Sequence, residues 1–447
     1  MPTSTEILSK FSKTLIVTSA VLFLWAGDAL LSSDRGVSQA QESDRGDAET
    51  RKTPAMREKV YKRLAEAQEM VEAGNTAGAE STLKELQGMR DLNSYEIAQT
   101  WSFFGYIYYT AENYPASIKA YETVLQQPDI PVGMENSTMY TLAQLYFTME
   151  DYNKAEQMLK RWFKGANDPG PEPYILLGQA YYQLERYKDA IGPVETAIDL
   201  AQKSGREVKE NWWLLLRVFY YELENYPKVV EILETLVREY QKKDYWVQLS
   251  GMYGELGNQR RQLAAYEVAY LQGWLQSNSE LVTMAQLFMQ DNYPYKGAQI
   301  LEKGIKEGKV TKDYKNYRLL AQAYQMARED KKSILPLTEA AKLAEDGDLY
   351  YRLAQAYSNL DRWQDCVEAV DMAIRKGGMK RDDNAYVLQG MAYFNMDDLG
   401  KAEKAFQQAR KDERSRRVAD QWLSYIVSER ERQAGLDRAL AALKSRK

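Results

Sequence analysis

Few residues in this chain could carry covalent or acid–base chemistry. Among its 447 residues there is no histidine. That excludes a histidine base, a Ser-His-Asp or Cys-His dyad, and any histidine-ligated metal. The single cysteine, Cys366, can form neither an intrachain disulfide, nor a CxxC redox pair, nor a zinc cluster. The carboxylate pairs Asp382/Asp383 and Asp397/Asp398 sit in turn-like stretches, where helix capping is the expected role. No GxxxxGK[ST] phosphate loop and no GxSxG nucleophile turn occurs. The expectation is a non-enzymatic protein without cofactor or metal. A formal net charge of −5 and a pI near 5.4 give no basic face for nucleic acid. Noncovalent recognition remains, by side chains that hydrogen-bond and stack, and 33 tyrosines against 10 phenylalanines favour it.

The elements that must position those side chains repeat. The chain is too long for one hydrophobic core, which points to several domains or to an array. One unit runs Tyr174-x-x-Leu177-Gly178-x-x-Tyr181, then Ala190, Val194 and Ala197. A second runs Tyr350-x-x-Leu353-Ala354-x-x-Tyr357, then Cys366, Val370 and Ala373. A third has Tyr386, Gly390, Tyr393, Ala402, Phe406 and Ala409. A small residue and an aromatic three later open each unit; a second small residue follows twelve after the first, and a bulky one four beyond that. Apolar spacing of three and four makes one face of a helix. Two such helices joined by a short turn lie antiparallel, and one pair cannot bury its own face, so pairs must stack.

This pattern resembles the tetratricopeptide repeat. The first small position falls at Ala67, Gly105, Ala143, Gly178, Arg217, Ser250, Ala285, Ala321, Ala354 and Gly390. The spacing is 33 to 39 residues, as variable connecting turns would give. Arg217 departs from the rule. The fold expected is all-α, a solenoid of about ten helix–turn–helix repeats over 56–412. Residues 413–447 are read as a capping helix carrying Trp422, Leu423, Tyr425 and Ile426, then a basic tail from Gly435. Asn113-Tyr114-Pro115, Asn225-Tyr226-Pro227 and Asn292-Tyr293-Pro294 read as equivalent turns. Tyr114, Tyr152, Tyr187, Tyr226 and Trp363 are expected to plug the corner between paired helices.

In this architecture the first helix of each pair lines the concave surface. Positions one and four after the small residue, and three before it, should face the groove. They include a glutamine row, Gln144, Gln179, Gln286, Gln322 and Gln355, and an aromatic row, Tyr109, Phe147, Tyr182, Tyr221 and Phe394, with Tyr106 and Tyr140 beside them. Side-chain amides can satisfy the backbone of an extended peptide, and aromatic rings suit prolines or apolar side chains. The alternative for the same rows is a solvated helix face and packing within each repeat. Gly251, Gly254 and Gly257-Asn258 would make a hinge or a place of close helix contact.

The amino terminus reads as an export signal. Lys10 and Lys13 precede an uncharged run from Leu15 to Gly27. That run is shorter than the roughly 20 apolar residues a bilayer span needs. Ser38-Gln39-Ala40 suits cleavage after Ala40; an uncleaved anchor is the alternative. Residues 41–55 are polar and read as a linker. The basic tail could make peripheral contact with anionic lipid.

A narrower resemblance rests on three stretches: NWWLLLRVFYYELENYPKVVEILETL (211–236), DYWVQLSGMYGELGNQRRQLAAYEVAYLQGWL (244–275) and MAQLFMQDNYPYKGAQILEKGI (284–305). They are similar to the periplasmic tetratricopeptide components encoded with TonB energy-transduction systems in Gram-negative bacteria. The resemblance implies a periplasmic accessory whose partners are TonB, its ExbB/ExbD-type motor or outer-membrane receptor components. The competing expectation is a scaffold for envelope polysaccharide export or outer-membrane protein assembly.

Overall fold

The structure is a computed structural model that describes residues 55–445. Among the described residues it contains twenty-one α-helices and no strand. The export signal and most of the linker lie outside the described residues. No helix of the described residues is long and apolar enough to cross a membrane.

Ten helical hairpins follow one another: α1 (Glu58–Glu72) with α2 (Thr76–Gln87), α3 (Ser94–Thr110) with α4 (Tyr114–Leu125), α5 (Val132–Thr148) with α6 (Tyr152–Gly165), α7 (Pro171–Gln183) with α8 (Tyr187–Lys203), and α9 (Glu210–Glu222) with α10 (Tyr226–Tyr240). Then come α11 (Lys243–Glu255) with α12 (Gln259–Leu271), α13 (Asn278–Gln290) with α14 (Pro294–Lys306), α15 (Tyr314–Met326) with α16 (Asp330–Leu343), α17 (Asp348–Asn359) with α18 (Trp363–Lys376), and α19 (Asp382–Asn395) with α20 (Leu399–Ala409). A final helix, α21 (Glu413–Ser445), follows. The helices group into two compact units, one ending at Ile232 and the other beginning at Leu233, inside α10.

Every first small position lies on the first helix of its hairpin, and the reason for smallness is direct. A Cβ at Gly105 would stand 2.7 Å from the Tyr121 ring, and one at Gly390 2.7 Å from the Phe406 ring. Tyr121 and Phe406 are the bulky residues sixteen places on. The position twelve places on is buried at Ala79, Ser117, Ala155, Ala190, Ser333, Cys366 and Ala402. The Ser117 hydroxyl also donates to the Gly105 carbonyl at 2.8 Å. Cys366 is part of this contact, and burial pushes its thiol up to about 12.

The turn inside each hairpin is the same ten times. The residue seven after the small position has positive φ at Gly74, Glu112, Glu150, Glu185, Glu224, Gly257, Asn292, Arg328, Asp361 and Asp397. The next N–H donates back five residues, as from Asn113 to the Tyr108 carbonyl and Arg186 to the Tyr181 carbonyl. This is the Schellman turn, which satisfies carbonyls left over at a helix end. Eight of the ten left-handed residues carry a side chain, at a cost of about 1–2 kcal/mol each. Glycine there relieves that cost but loses more chain entropy on folding. Glu185→Gly, at an exposed site, is therefore expected to stabilise the α7–α8 hairpin by about 0.5 kcal/mol. Hydrogen exchange across α7 and α8 checks this, with Glu185→Ala as the unaffected control.

The Asn292-Tyr293-Pro294 turn corrects the sequence reading. Asn113 and Asn225 are N-caps, but Asn292 occupies the left-handed position, one place earlier. Asparagine tolerates either role because its side chain bonds the local backbone. At Gly254 the glycine stretch is a place of close helix contact. A Cβ at Gly254 would meet the Gln262 side chain at 2.6 Å, so Gly254 makes room for a large residue where other hairpins have a small one. Gly257 is the left-handed turn residue.

Neighbouring hairpins are joined by a bond the sequence did not announce. The tyrosine three after the small position reaches a glutamate on the preceding hairpin: Tyr146 to Glu122, Tyr220 to Glu195 at 2.6 Å, Tyr253 to Glu234 at 2.5 Å and Tyr324 to Glu302 at 2.8 Å. A cation of the same hairpin often lies over that ring, as Lys154 over Tyr146 at 5.2 Å and Arg186 over Tyr181 at 4.7 Å. Phenylalanine could take the cation but not the carboxylate, which accounts for part of the tyrosine excess.

The cap is built differently from expectation. Trp422 stacks on Phe406 at 5.3 Å with planes 5° apart, and Ile426 is buried. Tyr425, expected inside, is 68% exposed. The helix does not end before a tail at Gly435 but runs on to Ser445. Of the carboxylate pairs, Asp398 caps α20 by accepting the Lys401 N–H at 3.0 Å. Asp383 does something else. Buried, it accepts from Arg381 at 2.7 and 2.9 Å and from the Ser415 hydroxyl at 2.6 Å, tying α21 to α19. The Arg381 hydrogen bonds hold it well below the usual carboxylate range against the opposing cost of burial.

A second held carboxylate gives a pH prediction. Glu280 lies in the capping box of α13. Burial works against its charge, but bonds from Lys243 at 2.5 Å and from the Ser277 and Gln276 amides, each 3.0 Å, prevail. Its pKa falls from 4.5 to about 2. A depressed pKa contributes stability above the unfolded value, lost as pH falls toward the folded one. Stability should therefore fall between pH 4.5 and 2. Denaturation midpoints across that window should be flatter for Glu280→Gln than for the wild type.

Candidate functional site

In the first unit, the positions expected to face a groove form an uncharged strip on the first helices. On α3 they are Ser102, Tyr106 and Tyr109; on α5, Tyr140, Gln144 and Phe147; on α7, Ile175, Gln179 and Tyr182; on α9, Leu214, Val218 and Tyr221. Most are half-buried, Ile175 is buried and Tyr221 is 43% exposed. The aromatics are braced from within their own hairpins. Tyr109 lies 6.0 Å from Tyr114, Phe147 5.2 Å from Tyr152, Tyr182 6.0 Å from Tyr187 and Tyr221 6.0 Å from Tyr226. The second ring of each pair is the corner residue nine places after the small position. Tyr182 also reaches Phe219 of the next hairpin at 5.9 Å. Aromatic pairs at such distances contribute about 0.5–1.5 kcal/mol beyond burial, so each ring is held and partly open.

Tyr140 packs on Trp162 at 5.2 Å, and burial pushes its phenol up to about 12. Burial also raises Tyr109 and Tyr182. These phenols are neutral at physiological pH and can donate or accept a hydrogen bond. The side-chain amides of Gln144 and Gln179 make no hydrogen bond with other described residues, leaving donors and acceptor for another chain.

The second unit presents a different face. Gln286, Gln322 and Gln355 are exposed, and Gln355 bonds Tyr351 of its own helix. Phe394 is placed against Trp422 of α21 at 5.2 Å, edge to face. It lies within the cluster that holds the last helix. A cleft of about 480 Å³ opens among Gln325, Arg328, Asp330, Gln355, Ser358 and Asn359. Among the described residues no group of histidine, cysteine or carboxylate side chains could hold a metal. The sequence did not reveal the bracing rings as partners of the aromatic row. Their fixed offset of five residues was a signal available to it.

Two family models match parts of the chain. Residues 383–409, which cover α19 and α20, match the tetratricopeptide repeat. The fold is a tetratricopeptide-repeat array. Residues 110–197, from the end of α3 into α8, match the family of the anaphase-promoting complex, cyclosome, subunit 3. No curated protein matches the chain. Solved structures similar to parts of the array include the MamA protein, at 21% identity over 39% of this chain and 94% of that one, TM-score 0.33. A tetratricopeptide repeat protein from Parabacteroides merdae is 15% identical over 67% of this chain and 99% of that one, TM-score 0.32. Cut9–Hcn1 of the anaphase-promoting complex is 10% identical over 82% of this chain and 90% of that one, TM-score 0.28.

Proposed function

We propose that the array is a non-enzymatic scaffold of the Gram-negative envelope, exported to the periplasm, and that it holds an extended segment of a partner protein. The observation that carries this reading is the braced, uncharged aromatic strip of the first unit, Tyr109, Phe147, Tyr182 and Tyr221, with the unengaged amides of Gln144 and Gln179 between the rings. Rings held by their own hairpins lose little freedom on binding, which keeps the entropy cost of recognition low. Flat apolar surface with polar tips suits a proline-rich segment, already extended and itself cheap to order. The likeness of residues 211–236, 244–275 and 284–305 to TonB-associated components is what suggests the partner in this reading: the proline-rich periplasmic segment of a TonB-type protein, with the ExbB/ExbD-type motor beside it.

Photo-crosslinking in living envelopes tests the partner. A photoreactive side chain at Tyr221, the most open ring of the row, should give an adduct with TonB or its motor. An adduct with glycan synthases or barrel-assembly proteins would move the scaffold to polysaccharide export or outer-membrane assembly.

A further inference from the structure

Helix α15 differs from every other first helix of the array in its charge. Counting along it, Lys315, Arg318, Gln322 and Gln325 recur at three- and four-residue spacing and fall on one side of the helix, and Arg328 follows in the turn just beyond its end. All but the half-buried Gln325 are exposed. None of the three cations makes an ion pair with a described residue. Arg318 donates to the Tyr314 hydroxyl of its own helix at 3.4 Å and lies over that ring at 5.7 Å, contacts that leave its charge unpaired. The nearest acid to Lys315, Asp313, is committed to Thr311 at 2.7 Å and to the Asn316 N–H at 2.9 Å. Arg328 stands at the left-handed turn residue, so its side chain leaves at the mouth of the cleft that Gln325, Gln355 and Ser358 line. Arg352 on α17, exposed and likewise without an ion pair, adds a fourth cation.

We infer that this face of the second unit binds an acidic, extended polypeptide segment, its carboxylates on Arg318 and Arg328 and its backbone on the glutamine amides. The inference rests on the reading that the array holds an extended chain, and it adds a second subsite with the opposite preference to the uncharged strip of the first unit. From Lys315 to Gln325 the helix rises about 15 Å, which an extended chain crosses in about five residues. Arginine suits the carboxylates because its planar fork binds them bidentately. The cleft itself selects against a polyphosphate. Asp330 stands in it, held by the Asn359 amide at 2.9 Å, and would repel a continuous row of anions. A peptide can place a neutral residue there.

The test uses the full chain and a fluorescent decapeptide of alternating glutamate and alanine, acetylated and amidated so that no terminal charge contributes. Its counterpart has glutamine for every glutamate. The acidic peptide should bind at least tenfold more tightly than the neutral one and weaken as salt rises. Arg318→Gln with Arg328→Gln should remove that preference while circular dichroism and the affinity for a proline-rich TonB segment stay unchanged. Equal binding of the two peptides, or an acidic preference that survives the double substitution, would overturn the subsite. So would an oligothymidylate or anionic vesicles binding as tightly as the acidic peptide. A wild-type chain that shows the acidic preference but does not bind the proline-rich segment would instead count against the first-unit strip alone.

Discussion

Phe406→Ala should cost about 3–5 kcal/mol, the range for truncating a buried aromatic, and the damage should stay at one end of the array. Phe406 is fully buried. Its ring fills the space that Gly390 leaves open, and its other face carries Trp422. Alanine would leave a cavity between α19 and α20 and remove the platform on which α21 rests. In a stacked array each repeat touches only its neighbours, so stability is close to a sum of local terms. Hydrogen exchange should therefore show lost protection over residues 382–445, with the first unit unchanged. Thermal unfolding should gain an early step. A uniform loss of protection across all ten hairpins would show one cooperative block and contradict the repeat account.

The same contact shows why much of this fold was legible. Gly390 and Phe406, sixteen residues apart, need each other, and so do Gly105 with Tyr121 and Gly178 with Val194. A pairing enforced by van der Waals contact recurs at fixed spacing, and spacing is readable. The within-hairpin turn was less legible, because its left-handed residue carries glutamate four times and glycine only twice. The backbone there is set by the hydrogen bonds of the helix end, which no residue type advertises. The tyrosine–glutamate bonds between hairpins were hidden for a related reason. They join residues 19 to 25 apart on different hairpins, and an exposed glutamate looks like any solvated one. Asp383 misled for its position: the first turn of a helix suggests capping, whereas its carboxylate serves α21. Of the expected groove residues, the structure gives the first-unit rings their braces, but Phe394 adjoins Trp422, which only the placement of α21 could reveal.

The braces make the recognition claim testable without unfolding the protein. Tyr182 and Tyr221 pack on Tyr187 and Tyr226 of their own hairpins, and neither is among the buried residues. Truncating them should leave the helices in place. Stacked aromatics at an interface contribute roughly 1–2 kcal/mol apiece when removed, so losing both should weaken binding by at least tenfold and by as much as several hundredfold. The control is Tyr187→Ala, which removes a brace and should weaken binding less.

The most direct measurement is a calorimetric titration of the proline-rich periplasmic segment of a TonB-type protein into the wild type and into Tyr182→Ala plus Tyr221→Ala. The account predicts a saturable interaction that the double substitution weakens at least tenfold with the helical spectrum unaltered. An affinity that does not change would take the aromatic strip out of the binding site.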